Sequence, residues 1–148
     1  MLQLDEIHKF LDKKHIALVG VSRRGDIPSN DIYKKFKSAG YTMYPINPNM
    51  ETFLGDTCYP NLQAIPTKPE AVFLASSPQV SESVVEECAR IGIDKVWMHR
   101  GIGKGSYSEK ATQFCNDHGI AAITNGCPFM FIEPVDGFHK TLRWFKKF

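Results

Sequence analysis

Five short apolar or β-branched runs, at residues 16–19, 42–46, 71–75, 95–98 and 120–124, recur at similar intervals and restrict the possible folds more than any other feature of this chain. They are continuous rather than alternating, as parallel strands covered by helices on both faces should be. Helical signals separate them. Ser29 or Asn30 stands where it would cap a helix that carries Ile32, Phe36 and Ala39 on one face and stops at Gly40. Ser77-Pro78 opens another, running through Val80, Val84, Val85, Cys88 and Ile91 to Gly92. Ser106 and Glu109 have the spacing of a capping box for a third, which buries Ala111, Phe114 and Cys115 before Gly119. Helices that end in glycine and feed a strand imply βαβ repetition. Right-handed crossovers then give an α/β fold, a three-layer sandwich around a doubly wound, mainly parallel sheet.

The connection 47–70 breaks the rhythm, because Pro48, Pro60, Pro66 and Pro69 leave room only for a short helix near residues 61–64. Leu4, Ile7 and Leu11 predict an N-terminal helix outside the sheet, and residues 136–148 a final one. With 148 residues and no linker, repeat or low-complexity stretch, the chain reads as one domain over 1–148. A core of this size needs neither disulfide nor metal to be stable.

The first strand leads into Gly20-Val21-Ser22-Arg23-Arg24-Gly25, a glycine-framed turn before a helix. Placement matters more than pattern here. A glycine directly after a strand permits a tight turn, and N–H groups near the next helix N-terminus meet an anion along the helix dipole. Ser22 adds a hydroxyl, and Arg23 and Arg24 add charge, so the loop is expected to hold the phosphates of a nucleotide-containing ligand. A valine at Gly20 is expected to block that ligand and leave the fold intact. Proteins that bind NAD usually place a carboxylate about 20 residues further on for the ribose diol. This chain has Pro45-Ile46-Asn47-Pro48-Asn49 there, with no acid and no arginine. A missing carboxylate suits a ribose that carries its own phosphate, which an acid would repel.

Eighteen basic and 16 acidic residues give a net charge of only +2, too balanced to indicate nucleic-acid binding. The one local excess interleaves Lys140, Arg143, Lys146 and Lys147 with Phe138, Leu142, Trp144, Phe145 and Phe148. It reads as a helix that docks its apolar stripe and solvates its lysines rather than as a membrane or RNA contact. Cys58, Cys88, Cys115 and Cys127 form no Cys-x-x-Cys pair, and the N-terminus has no apolar signal segment, which together predict a cytoplasmic protein. No apolar run reaches the ~20 residues of a membrane span.

Gly20-Val21-Ser22-Arg23, Pro45-Ile46-Asn47-Pro48, Gly55 with Cys58-Tyr59-Pro60, Val96-Trp97-Met98-His99-Arg100-Gly101 and Asn125-Gly126-Cys127-Pro128 resemble, in order, the stations of the small coenzyme A-binding domain proteins. That family is similar to the N-terminal domain of the succinyl-CoA synthetase α subunit, and the likeness covers roughly residues 12–133. It implies a five-stranded parallel, Rossmann-like sheet with coenzyme A or an acyl-CoA across the strands' C-terminal ends. By the resemblance, Gly20, Val21, Ser22, Arg23 and Arg24 would hold the pyrophosphate, and Asn47, Pro48 and Asn49 would border the adenosine. Ser76 and Pro78 would line the pocket, and Met98, His99 and Arg100 would flank the fourth strand's end. The chain departs from the usual family residues at Ser76-Ser77 and His99-Arg100. The synthetase's phosphorylated histidine belongs to a second domain, so its activity does not carry over.

A catalytic set is not visible. His99 at a strand end lies where α/β sites form, yet no carboxylate or nucleophile is placed beside it in sequence. Cys127 is either a buried thiol or a nucleophile able to form a mixed disulfide with the CoA thiol. The expectation is therefore a binding module without chemistry by this chain alone. The rivals are an NAD(P)-dependent oxidoreductase and a structural Rossmann-like interaction protein.

Overall fold

The computed structural model describes residues 2–148. Helix α1 (Leu2–Leu11) leads into β1 (His15–Val19), α2 (Pro28–Ser38) and β2 (Thr42–Ile46). The proline-rich connection holds a small hairpin, β3 (Thr52–Phe53) and β4 (Asp56–Thr57), and a 3-10 turn (Leu62–Ala64). Next come β5 (Ala71–Leu74), α3 (Pro78–Ile91), β6 (Lys95–Met98), α4 (Glu109–Asp117) and β7 (Ala121–Ile123). A second 3-10 turn (Pro128–Met130) precedes α5 (Gly137–Phe145). The five main strands pair in parallel in the order β2-β1-β5-β6-β7. This is the Rossmann-like α/β sandwich that the apolar runs predict.

Alternation along each strand supplies two cores at once. Ile16, Leu18, Phe73 and Trp97 pack with Ile7 and Phe10 of α1 and Ile32 and Phe36 of α2. Their neighbours Ala17, Val19, Val72, Leu74, Val96 and Met98 pack with Val84, Val85 and Cys88 of α3 and Ala111 and Cys115 of α4. Both faces are covered, so β5 is apolar throughout and β1 and β6 are apolar after their first residues, His15 and Lys95. The first core is aromatic, with Phe10 and Phe73 edge-on to Trp97 at 5.4 and 5.5 Å between centroids. Such pairs contribute about 0.5–1.5 kcal/mol each beyond the area they bury.

Three local readings are corrected, and a hairpin is added to them. Helix α2 starts at Pro28 after Ile27 with no side-chain cap, and Ser29 and Asn30 are buried in its first turn. Helix α4 is capped by Ser108, which accepts the Ala111 N–H at 3.1 Å, while Ser106 is drawn inward to bind Ser76. Two serines two residues apart both offered the capping chemistry, and the tertiary demand took the first. The β3–β4 hairpin has strands too short to show a period, and its turn places Leu54 at φ 49° and Gly55 at φ 83° instead of the usual Asn-Gly. Helix α5 docks through half-buried Leu142, but leaves Phe138, Trp144 and Phe145 largely exposed.

Strand order reverses between β1 and β5. There Gly20 takes φ 122°, and a Cβ on it would stand 2.2 Å from the Ala75 carbonyl oxygen. The glycine thus lets the chain leaving β1 pass the backbone leaving β5, and the expectation of a folded valine variant is overturned. Gly20→Val should lose at least about 3 kcal/mol of stability, from strain and a backbone clash together, read as a shifted urea midpoint or failure to fold. Gly25→Ala meets nothing within 4 Å and should stay within about 0.5 kcal/mol of the parent.

Candidate functional site

The loops at the C-terminal edge of the sheet are joined in series. Asn47 Nδ2 donates to the Val21 carbonyl at 2.8 Å, and Arg23 Nη2 to the Asn49 carbonyl at 2.6 Å, tying the loop after β1 to that after β2. Asn47 Oδ1 accepts the Asn49 N–H at 2.7 Å. The Ser106 hydroxyl accepts the Ser76 N–H at 2.9 Å and donates to the Ser76 carbonyl at 2.7 Å, joining the loops after β5 and β6. Arg100 and Gly126 exchange backbone bonds of 3.2 and 3.0 Å, joining those after β6 and β7.

Asn30 shapes the first loop from beneath. Its Oδ1 accepts the Ser22 N–H at 3.0 Å, and its Nδ2 donates to the carbonyls of Ser22 and Arg24. Ser22 Oγ accepts the Arg24 N–H at 3.2 Å. One buried amide thus satisfies three backbone groups of a six-residue turn, leaving Arg23 and Arg24 exposed to solvent. Sequence reasoning missed this residue because an asparagine near a helix start is read as a cap.

The residues singled out from sequence fall into different recesses. Arg23 and Asn49 share one of about 430 Å³ with Met50, Glu51 and Thr52. His99 opens into an apolar cavity of about 360 Å³ with Ile32, Cys127 and Phe129. Pro78 lines an open groove between the starts of α3 and α4. Pro48 is exposed, Val21 offers only backbone, and Arg100 lays its guanidinium over Tyr107 at 4.6 Å. Met98 is corrected: its side chain is fully buried, with Sδ 3.9 Å from Thr112 Oγ1 under α4, and cannot line a pocket. Strand alternation explains the split, since Met98 points to the α3–α4 side and His99 to the opposite one, where its ring lies 5.9 Å from Phe73.

Burial governs protonation here. Desolvation, with the charges of His139 and Lys146 adding to it, pushes His99 down from 6.5 to about 4, so the ring is neutral at pH 7. Desolvation pushes the Cys127 thiol up to about 11, which leaves little thiolate for nucleophilic attack.

The family model for the CoA binding domain matches residues 14–133. This chain belongs to the CoA-binding domain family. Its curated relatives include ADP-forming acetate–CoA ligase II of Archaeoglobus fulgidus, 28% identical over 115 residues, covering 72% of this chain but only 17% of the ligase. The uncharacterised protein YneT of Bacillus subtilis is 28% identical over 123 residues, covering 82% of this chain and 88% of that protein. Among solved structures, a hypothetical protein from Pyrococcus horikoshii OT3 superposes with a TM-score of 0.77 at 31% identity, over 84% of this chain and 85% of that one. Helix α5 lies beyond the part matched by the family, and no helix of the described residues is long and apolar enough to cross a membrane.

The state of His99 in this CoA-binding domain chain has a measurable consequence. Between pH 6.5 and about 4 the unfolded chain takes up a proton that the folded one refuses, so this residue makes stability fall as pH drops through that window. The loss should reach up to about 3 kcal/mol and should be absent from His99→Gln. Urea unfolding at pH 7 and pH 4.5, beside an NMR titration of the ring with its midpoint near pH 4, measures it.

Proposed function

We propose that this chain binds coenzyme A through the edge where β1 and β2 end, without chemistry of its own. The observation that carries this reading is the pairing of Arg23 with Asn49 around one polar recess, in a chain of the CoA-binding domain family. The loop of Gly20, Val21, Ser22, Arg23 and Arg24 presents two exposed guanidinium groups beside α2, whose N-terminus has no side-chain cap. Diphosphate oxygens suit such a surface, because hydrogen bonds from charged donors are about twice as strong as neutral ones. The loop after β2 would border the adenosine; residues 45–49 carry no carboxylate to repel a ribose phosphate, and the one acid of the recess, Glu51, stands with Arg23 as its counter-charge.

In this reading the two asparagines take unequal parts. Both ends of the Asn47 amide are engaged in holding the loops together, so Asn47 acts by positioning. Asn49 is exposed in the recess beside Arg23 and faces whatever binds there. The activity of the ligase relatives belongs to chains several times longer than the segment they share with this one. The domain's part in such chemistry would be to hold coenzyme A while other parts act.

Two measurements test the reading. Coenzyme A at about 100 times its Kd should stabilise the fold by about 2.7 kcal/mol and raise the melting midpoint by roughly 5–10 °C. NAD and NADP at equal concentration should do little, and a larger shift with NAD would replace this reading with the dinucleotide one. Asn49→Asp should weaken coenzyme A about fivefold more than dephospho-CoA in titration calorimetry, as a new carboxylate near the ribose phosphate adds about 1 kcal/mol of repulsion. Equal losses for the two ligands would move the adenosine elsewhere.

A further inference from the structure

The cavity that holds His99 is built differently from the recess around Arg23. Its walls come from the start of α2 (Pro28, Asp31, Ile32), the loop after β6 (His99, Gly101, Ile102), the segment after β7 (Cys127, Phe129) and α5 (Phe138, His139, Leu142). Asp31 is the one carboxylate among these walls, and no lysine or arginine lines them. His139 is held to the rim by its Nδ1, which donates to Asp136 at 2.7 Å, and its ring stacks on Phe129 at 5.2 Å. Ile102 and Phe138 stand at the mouth 79% and 59% exposed, apolar surface with nothing over it. Cavities that hold small ligands measure about 300–1,000 Å³, so about 360 Å³ has room for a hydrocarbon group.

Its position relative to the phosphate loop narrows the occupant. Arg23 in that loop lines the polar recess, and Pro28, five residues on, lines the apolar cavity. A cationic, polar recess and a mainly apolar cavity thus share one loop, and the pantetheine arm of a bound acyl-CoA would span the interval between them. We infer that the cavity under α5 receives the acyl group of an acyl-CoA and selects uncharged, apolar acyl groups. The inference rests on the coenzyme A reading and adds the substrate class. A terminal carboxylate, as in a succinyl group, would meet the Asp31 carboxylate and no lysine or arginine in the walls, and, with His99 neutral, the one wall residue able to carry positive charge, His139, is already paired with Asp136. The neutral His99 and the protonated Cys127 keep the interior uncharged at pH 7. Three of the wall residues belong to α5, outside the part matched by the family, so the C-terminal segment takes part in this preference.

Titration calorimetry with coenzyme A, hexanoyl-CoA and succinyl-CoA tests it. Hexanoyl-CoA should bind at least about tenfold tighter than either of the others, since several methylenes leave water. The ratio of hexanoyl-CoA to coenzyme A affinity should collapse toward one in Leu142→Trp, which fills the cavity. Ile102→Asp should reduce the same ratio, and because Ile102 is exposed this second variant does not burden the fold, which circular dichroism checks. Binding of coenzyme A with hexanoyl-CoA no tighter than succinyl-CoA would overturn the acyl pocket and leave the coenzyme A reading standing. An unchanged ratio in both folded variants would also overturn it. Absence of binding by all three ligands would remove the coenzyme A reading and this inference with it.

Discussion

The backbone approach of Gly20 to Ala75 sets the geometry of everything at the functional edge. β1 sends its crossover one way to β2, and the chain then returns past β1 to β5, so the loops after β1 and β5 diverge from adjacent points. A crevice opens where strand order reverses, and ligands of open α/β sheets bind there. The two strands remain paired up to Val19 and Leu74, and the Ala75 N–H still bonds the Val19 carbonyl at 2.8 Å. Divergence begins one residue later, where any side chain on Gly20 would strike the Ala75 oxygen. The glycine is thus explained by the sheet before any ligand is considered, and the phosphate loop inherits its starting direction from that contact.

The fold was legible because its strands are covered on both faces. A continuous apolar run has few other outcomes in a chain this long, and α2, α3 and α4 each end near a glycine. Legibility failed where a residue's local chemistry served a distant partner. Ser106 carries the capping signature of a helix start, yet its hydroxyl joins two loops thirty positions apart. Asn30 likewise sits one turn into a helix and acts on the loop before it. In both cases the hydrogen-bonding group was recognised and its target was not, because short-range patterns name donors and acceptors without saying which backbone group lacks a partner.

The candidate site shows the same division. The meeting of Arg23 with Asn49 follows from parallel neighbours β1 and β2 ending at the same level. The sequence resemblance grouped Met98 with His99, but adjacent residues at a strand end face opposite layers, and only one of them can reach a given cavity. The apolar cavity itself was invisible in sequence. Its walls come from segments more than a hundred residues apart, and the α5 residues that close it read simply as one face of an amphipathic helix.

That α5 is amphipathic does not mean that its apolar face is fully used. Leu142 packs inward, and Lys146 fixes the end of the helix by donating to Asn125 Oδ1 at 2.6 Å, beside the Arg143 guanidinium over Phe131 at 4.7 Å. Phe138, in the first turn, is left over the cavity mouth with more than half its surface in water. The first turn is fastened by polar contacts, Asp136 accepting the His139 N–H and ring, while its apolar Phe138 at the cavity mouth has little packed over it, and local opening is easiest where apolar contacts are fewest. An apolar group entering there covers Phe138 and Ile102 together and adds the contacts that the first turn lacks. If the cavity takes an acyl group as proposed, ligand affinity and the order of α5 would be coupled through the same surface, because whatever fills the cavity would also fasten the helix that closes it.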